Sequence, residues 1–264
     1  MLKKIKFPNV VIVLILLLSV CFAGCASFCP TGKNAEEKNE AVPVMCAEYT
    51  RIPINVDGEL NETVWKNTQV YELNLAENKA KNGREISEPG DVRLAWDNDY
   101  FYIGVTFYDS DIVAEGENNQ MKHYKFGDVC ELFLKPENET WYWELYATPA
   151  NKKTSYFIPG CGSVGLPSME KYKCGLKVAA KCNGTINDWH DKDTSWTAEM
   201  AMPVKDLTAR GESFGPGSQW RILVSRYNFG RYLEKKGAEL SMIPKLSAEN
   251  FHLLPEYAII KFKK

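Results

Sequence analysis

The sequence predicts an all-β fold, a β-sandwich with short peripheral helices, on three observations. Short runs alternate apolar and polar residues with period two, as half-buried strands do. Gly, Pro, Asn and Asp clusters punctuate those runs, which suits tight turns. Helical patterning is confined to short pieces near residues 62–65 and after Pro203. Many short strands with such turns are the mark of sandwiches and barrels.

The elements follow in order. Residues 92–96 read as a strand, Asp97-Asn98-Asp99 as a turn, and residues 100–108 as the returning strand of a hairpin. Phe101, Ile103, Val105 and Phe107 fall on one face of it, the side assigned to the core. A second hairpin joins residues 130–134 to 142–146 around Pro136-Glu137-Asn138-Glu139. Further strands are expected over residues 175–181, 195–202, 219–227 and 257–262.

Before the domain come two other segments. Lys3, Lys4 and Lys6 precede an apolar run over residues 10–18. That run is shorter than the roughly 20 residues a spanning helix needs, and its basic flank makes it a signal-peptide h-region. Phe22-Ala23-Gly24-Cys25 resembles the bacterial lipobox, which implies cleavage after residue 24 and lipid on Cys25. Ordinary secretory cleavage after Ala26 is the alternative. Residues 25–46 lack apolar periodicity and read as a flexible tether, leaving residues 47–264 as one domain. The chain is therefore expected to be exported and anchored at the cell envelope.

Composition excludes one class of partner. Lys and Arg total 32 against 34 Asp and Glu, a net charge of −2, so the basic excess that nucleic-acid binding wants is missing. Of the cysteines, Cys174 and Cys182 would lie about 26 Å apart along one strand. A disulfide tolerates about 7 Å, so those two do not pair. Cys130 is expected as a free thiol in the core. Gly160-Cys161-Gly162-Ser163-Val164-Gly165 lacks a following helical pattern and is no phosphate loop.

Strand alternation also sorts candidate site residues. Cys130, Leu132 and Leu134 suit the core, which sends Glu131 and Phe133 to the other face. On the next strand Trp143, Leu145 and Ala147 suit the core, leaving Tyr142, Glu144 and Tyr146 opposite. Carboxylates among aromatic rings bind sugars, since pyranose C–H faces stack on rings while carboxylates meet hydroxyls. The same pattern also suits a solvated sheet face with incidental aromatics. Glu131 and Glu144 as a carboxylate pair would suit glycoside hydrolysis, a further alternative.

Several landmarks carry a family resemblance. Residues 54–65 hold Asp57-Gly58, Leu60-Asn61-Glu62 and Trp65; the 92–103 hairpin follows. Then come Asp128-Val129-Cys130-Glu131, Trp196-Thr197-Ala198-Glu199 with Pro203, and Asn250-Phe251-His252 with Pro255-Glu256-Tyr257. In this order they resemble family 9 carbohydrate-binding modules of the DOMON-like superfamily. The resemblance implies a β-sandwich that binds a saccharide without turnover, with glycoside hydrolases or transporters as partners. It places Glu131, Glu144, Tyr146 and Thr148 on the ligand face, with Tyr124 and Phe251 near two ring-clamp positions that hold Trp in the family. The family can hold structural Ca²⁺, and Asp97, Asn98, Asp99, Asp109 and Asp111 offer oxygen ligands near hairpin ends. Turn chemistry explains these residues equally well, so none is assigned as a metal ligand. No other cofactor is expected. A haem between Met121 or His123 and a second ligand, Met169 or Met242, is the superfamily's other binding mode.

Overall fold

A computed structural model describes residues 41–161, 163–233 and 237–264. The first 40 residues, with the signal peptide and Cys25, lie outside the described residues. Among the described residues, twelve strands carry the fold. They are β1 (Val44–Tyr49), β2 (Tyr71–Glu72), β3 (Gly90–Trp96), β4 (Tyr100–Tyr108), β5 (Val129–Pro136) and β6 (Tyr142–Ala147). Then follow β7 (Lys153–Ile158), β8 (Lys177–Asn183), β9 (Ser195–Pro203), β10 (Trp220–Asn228), β11 (Glu239–Ile243) and β12 (Ala258–Phe262). Short α-helical turns decorate them: α1 (Thr63–Asn67), α2 (Glu77–Ala80), α3 (Pro167–Lys171) and α4 (Val204–Leu207).

The architecture is nearly all β, as expected. The strands form one continuous sheet in the order β7-β6-β5-β10-β12-β1-β3-β4-β9-β8, with β11 beside β10 and β2 beside β3. β1 is the link: residues 44–47 pair in parallel with β12, and residues 48–49 pair in parallel with β3. Folding at that link brings two halves face to face across one core. Cys130, Leu132, Leu134, Trp143 and Leu145 from one half share that core with Phe101, Ile103, Val105, Phe107 and Trp196 from the other. Both predicted hairpins are present in register.

β1 corrects the domain boundary. Val44, Met45 and Cys46 belong to the sheet rather than to a tether that ends at residue 46. Met45 and Ala47 are buried in the main core, and that burial orders the segment. β2, β7 and β11 were also unforeseen, being short or polar. Cys46, Cys130, Cys174 and Cys182 are free thiols, Cys130 fully buried, while Cys161 is disulfide-bonded.

The outer face of the β3-β4-β9 half is closed by residues 54–65. Glu199 on β9 accepts hydrogen bonds from the Asp57 and Gly58 amides at 2.9 and 3.0 Å, and from Trp65 Nε1 at 2.9 Å. Gly104, opposite Glu199 on β4, makes room; a Cβ there would stand 2.7 Å from Leu60 Cδ2 and 3.3 Å from the Trp65 ring. Gly58 has φ +87°, and a Cβ there would meet the Ala180 backbone at 2.7 Å. Asp57-Gly58, Trp65 and Glu199 are thus one structural lock.

Candidate functional site

The outer face of the other half carries a cavity of about 280 Å³. Its floor is four strands wide. In register, Glu144 faces Tyr156 across β6 and β7, and Glu131 faces Tyr146 across β5 and β6. Ser225 on β10 lies beside Glu131 on the far side. The alternation that buries Cys130, Leu132, Trp143 and Leu145 in the core aims Glu131, Phe133, Glu144 and Tyr146 outward, as expected. Tyr227 follows Ser225 by two residues on β10 and joins the same face.

Loops raise the walls. Tyr124, in a helical turn at His123–Lys125, stands with its ring centroid 5.5 Å from Tyr227 and 6.3 Å from Tyr146. Phe251 and His252 come from the loop before β12. Phe251 packs against Tyr227 at 5.6 Å and Phe133 at 6.2 Å, and its carbonyl accepts the Tyr257 hydroxyl at 2.6 Å. His252 Nδ1 shares a hydrogen bond with the Tyr142 hydroxyl at 2.8 Å. Exposed Val164 and Gly165 edge the mouth.

The glutamates are buried rather than on an exposed sheet face, at 2% (Glu131) and 6% (Glu144) exposure. Glu144 accepts the Tyr146 hydroxyl, and Glu131 accepts the Ser225 hydroxyl at 3.2 Å. Burial, then the nearby Glu144 charge, holds Glu131 well above the usual carboxylate range. Burial pushes Glu144 up to about 7. It also raises Tyr146, which stays a hydroxyl, and lowers His252, which stays neutral. The floor therefore presents carboxyls and hydroxyls that both donate and accept, beneath ring faces.

Of the residues expected at the site, Glu131, Glu144, Tyr146, Tyr124 and Phe251 line this one cavity. Thr148 does not. It lies past the end of β6, where its hydroxyl accepts the Lys152 amide at 3.1 Å and caps the turn into β7. Tyr156, Tyr227, Asn250 and His252 also line the cavity without having been assigned there. Tyr227 was readable: Trp220, Ile222 and Val224 take the core face of β10, which leaves Ser225 and Tyr227 opposite.

The acidic residues near the hairpin ends are engaged with the protein itself. Asp97 caps its own hairpin through the Asp99 and Tyr100 amides, both at 2.7 Å, and accepts the Tyr102 hydroxyl. Asp109 pairs with Arg226 at 2.9 Å and Asp111 with Arg231 at 3.3 Å. Among the described residues no group of three His, Cys, Asp or Glu side chains could hold a metal ion. Met121 and His123 lie outside the cavity lining, so they offer no axial haem ligand there.

A ring-walled, carboxyl-floored cavity of this size on a rigid sheet defines a small-ligand binding module. Residues 56–216, more than half of the 264, match the family described as Carbohydrate family 9 binding domain-like, and the chain belongs to that family. Among solved structures it resembles a putative carbohydrate-binding protein from Bacteroides uniformis, with TM-score 0.64 and 11% identity over 84% of this chain and 99% of that one. It also resembles a family 9 carbohydrate-binding module from Caldicellulosiruptor kristjanssonii, solved with cellotriose and with glucose. Both those structures give TM-score 0.55 and 13% identity over 83% of this chain, covering 93% and 95% of theirs. At these identities the likeness concerns the fold. Curated protein sequences give no match.

Proposed function

We propose that this protein binds saccharide, without turnover, in the cavity floored by Glu131 and Glu144. The observation that carries it is the pairing of carboxyl and hydroxyl groups with ring faces in one cavity. Family membership supports the same reading. Tyr124 and Phe251 serve as the stacking walls, with Tyr rings in place of the family's tryptophan at one wall and Phe at the other.

Hydrolysis does not fit this geometry. Glycosidases place two carboxyl groups on either side of the scissile bond. Glu131 and Glu144 rise from the same face of adjacent strands and approach a ligand from one side. A glycan array probed with the protein tests the proposal; retention of a saccharide with no release of reducing ends is the expected result. Sustained hydrolysis abolished by Glu131→Gln would replace it.

The binding domain is placed at the cell envelope by lipid on Cys25, where it would support glycoside hydrolases or a transporter. The lipobox-like Phe22-Ala23-Gly24-Cys25 motivates this. Two acyl chains anchor a protein stably, whereas one is marginal. Detergent partitioning of the full chain and of Cys25→Ala checks it: the variant should leave the membrane fraction.

A further inference from the structure

Two carboxylates share the cavity floor, and among the described residues the basic side chains in its lining, Lys122 and His252, are engaged elsewhere. On the 122–126 segment, Lys122 Nζ is held by Glu170 at 2.6 Å, and exposed Lys125 lies over the Tyr124 ring at 5.9 Å, outside the lining. Lys153 on β7 donates to the Leu176 carbonyl. Arg226 on β10 points to the opposite face and pairs with Asp109. From the loop before β12, Glu249 takes Lys79 at 3.1 Å, and His252 is occupied by Tyr142. Glu239 on β11 is bound by Ser87. With Lys122 and His252 so engaged, what meets Glu131 and Glu144 among the described residues is hydroxyl and ring: Ser225, Tyr146, Tyr156, Tyr227 and Tyr124.

Resting on the saccharide reading above, we propose that the sugar this cavity selects carries an ammonium group, an amino sugar such as a glucosamine unit, seated between the Glu131–Glu144 pair and the tyrosine rings. Carboxylates supply the opposite charge, and electron-rich ring faces add cation–π attraction. An ammonium donates three N–H bonds and accepts none, which matches a floor rich in acceptor oxygens. A neutral hydroxyl sugar gains none of the charge term and leaves the floor holding its proton. Binding of the cation draws the pair into its ionised form, so a proton held in the floor is expelled. With Glu144 near 7, that release is largest around neutral pH. In acid the carboxyls are protonated and the preference fades; in alkali the ligand loses its charge and the preference fades again.

Calorimetry on the full chain tests this with three probes: a trisaccharide of glucosamine, its N-acetylated form, and cellotriose. At neutral pH the glucosamine trisaccharide should bind about tenfold tighter than the other two, the difference between a charge-assisted and a neutral hydrogen bond. Titrations in buffers of different ionisation enthalpy should show proton release with the amine alone. Glu131→Gln and Glu144→Gln, checked for folding by thermal melts, should each narrow the gap. Equal affinity for glucosamine and cellotriose trisaccharides would overturn the amino-sugar inference while leaving saccharide binding intact. Failure of all three to bind, in folded protein, would overturn the saccharide reading itself.

Discussion

The two halves of the folded sheet each present a buried glutamate on the outer face, and the two faces use it differently. On β9, Glu199 receives two backbone amides and an indole N–H, and residues 54–65 seal it over. On β5 and β6, Glu131 and Glu144 receive only hydroxyl partners and line a cavity. Burial raises the pKa of all three, Glu199 and Glu144 to about 7. The desolvation is shared; the supply of donors separates a structural glutamate from a ligand-facing one. A perturbed carboxyl is a site candidate only when its surroundings leave it something to bind.

The largest effect should come from the sealed face. Glu199→Ala strands two buried donors, the Gly58 amide and the Trp65 indole N–H, each costing about 1–3 kcal/mol, and frees the half-buried Asp57 amide, so a loss of about 2–6 kcal/mol is expected in denaturant unfolding. Glu131→Gln should change stability far less, because its carboxyl is already biased to the neutral form and the amide is close in shape. Its cost should appear in sugar affinity, by about tenfold. If Glu131→Gln unfolds the domain as Glu199→Ala does, the distinction between the two faces collapses.

Tyr124→Ala comes next. Its ring is half-buried on a loop, so affinity should fall several-fold while the melting temperature moves little. Phe251→Ala is the less selective probe, since Phe251 is buried against Phe133 and Tyr227 and its loss should lower both binding and stability.

The pH dependence sharpens the same contrast. Glu144 and Glu199 have folded pKa values raised above 4.5, so each contributes stability that is present below about 4.5 and lost as pH rises through about 7. Thermal melts should therefore fall between about pH 4.5 and 7 and level off above. Glu144→Gln should flatten that slope, and a slope unchanged in this variant would mean Glu144 titrates normally. The smallest effect is expected from Thr148→Ala: lost turn capping, about 1 kcal/mol, with sugar affinity unchanged.

Much of this was legible in residue order because side chains in a strand alternate. Leu132 and Leu145 in the core compel Glu131, Glu144 and Tyr146 to the other face, whatever the strands' neighbours. The family resemblance set Thr148 beside them, but the strand ends at Ala147 and a turn with Asn151 at φ +59° takes Thr148 off that face. Alternation was blind to β7, since Lys152-Lys153-Thr154-Ser155 reads as polar loop, although Tyr156 there flanks Glu144.

By itself the sequence determined eight of the twelve described strands, their faces and the landmark residues, since these depend on periodicity and turn chemistry within a few neighbours. Only the tertiary structure decided that β1 joins the halves by parallel pairing, that Glu199 is locked by Trp65, and that Tyr124, Tyr227 and Phe251 wall one cavity with Glu131. Those outcomes rest on contacts between segments far apart in the chain. Alternation specifies which way a side chain points and carries no information on what it meets there.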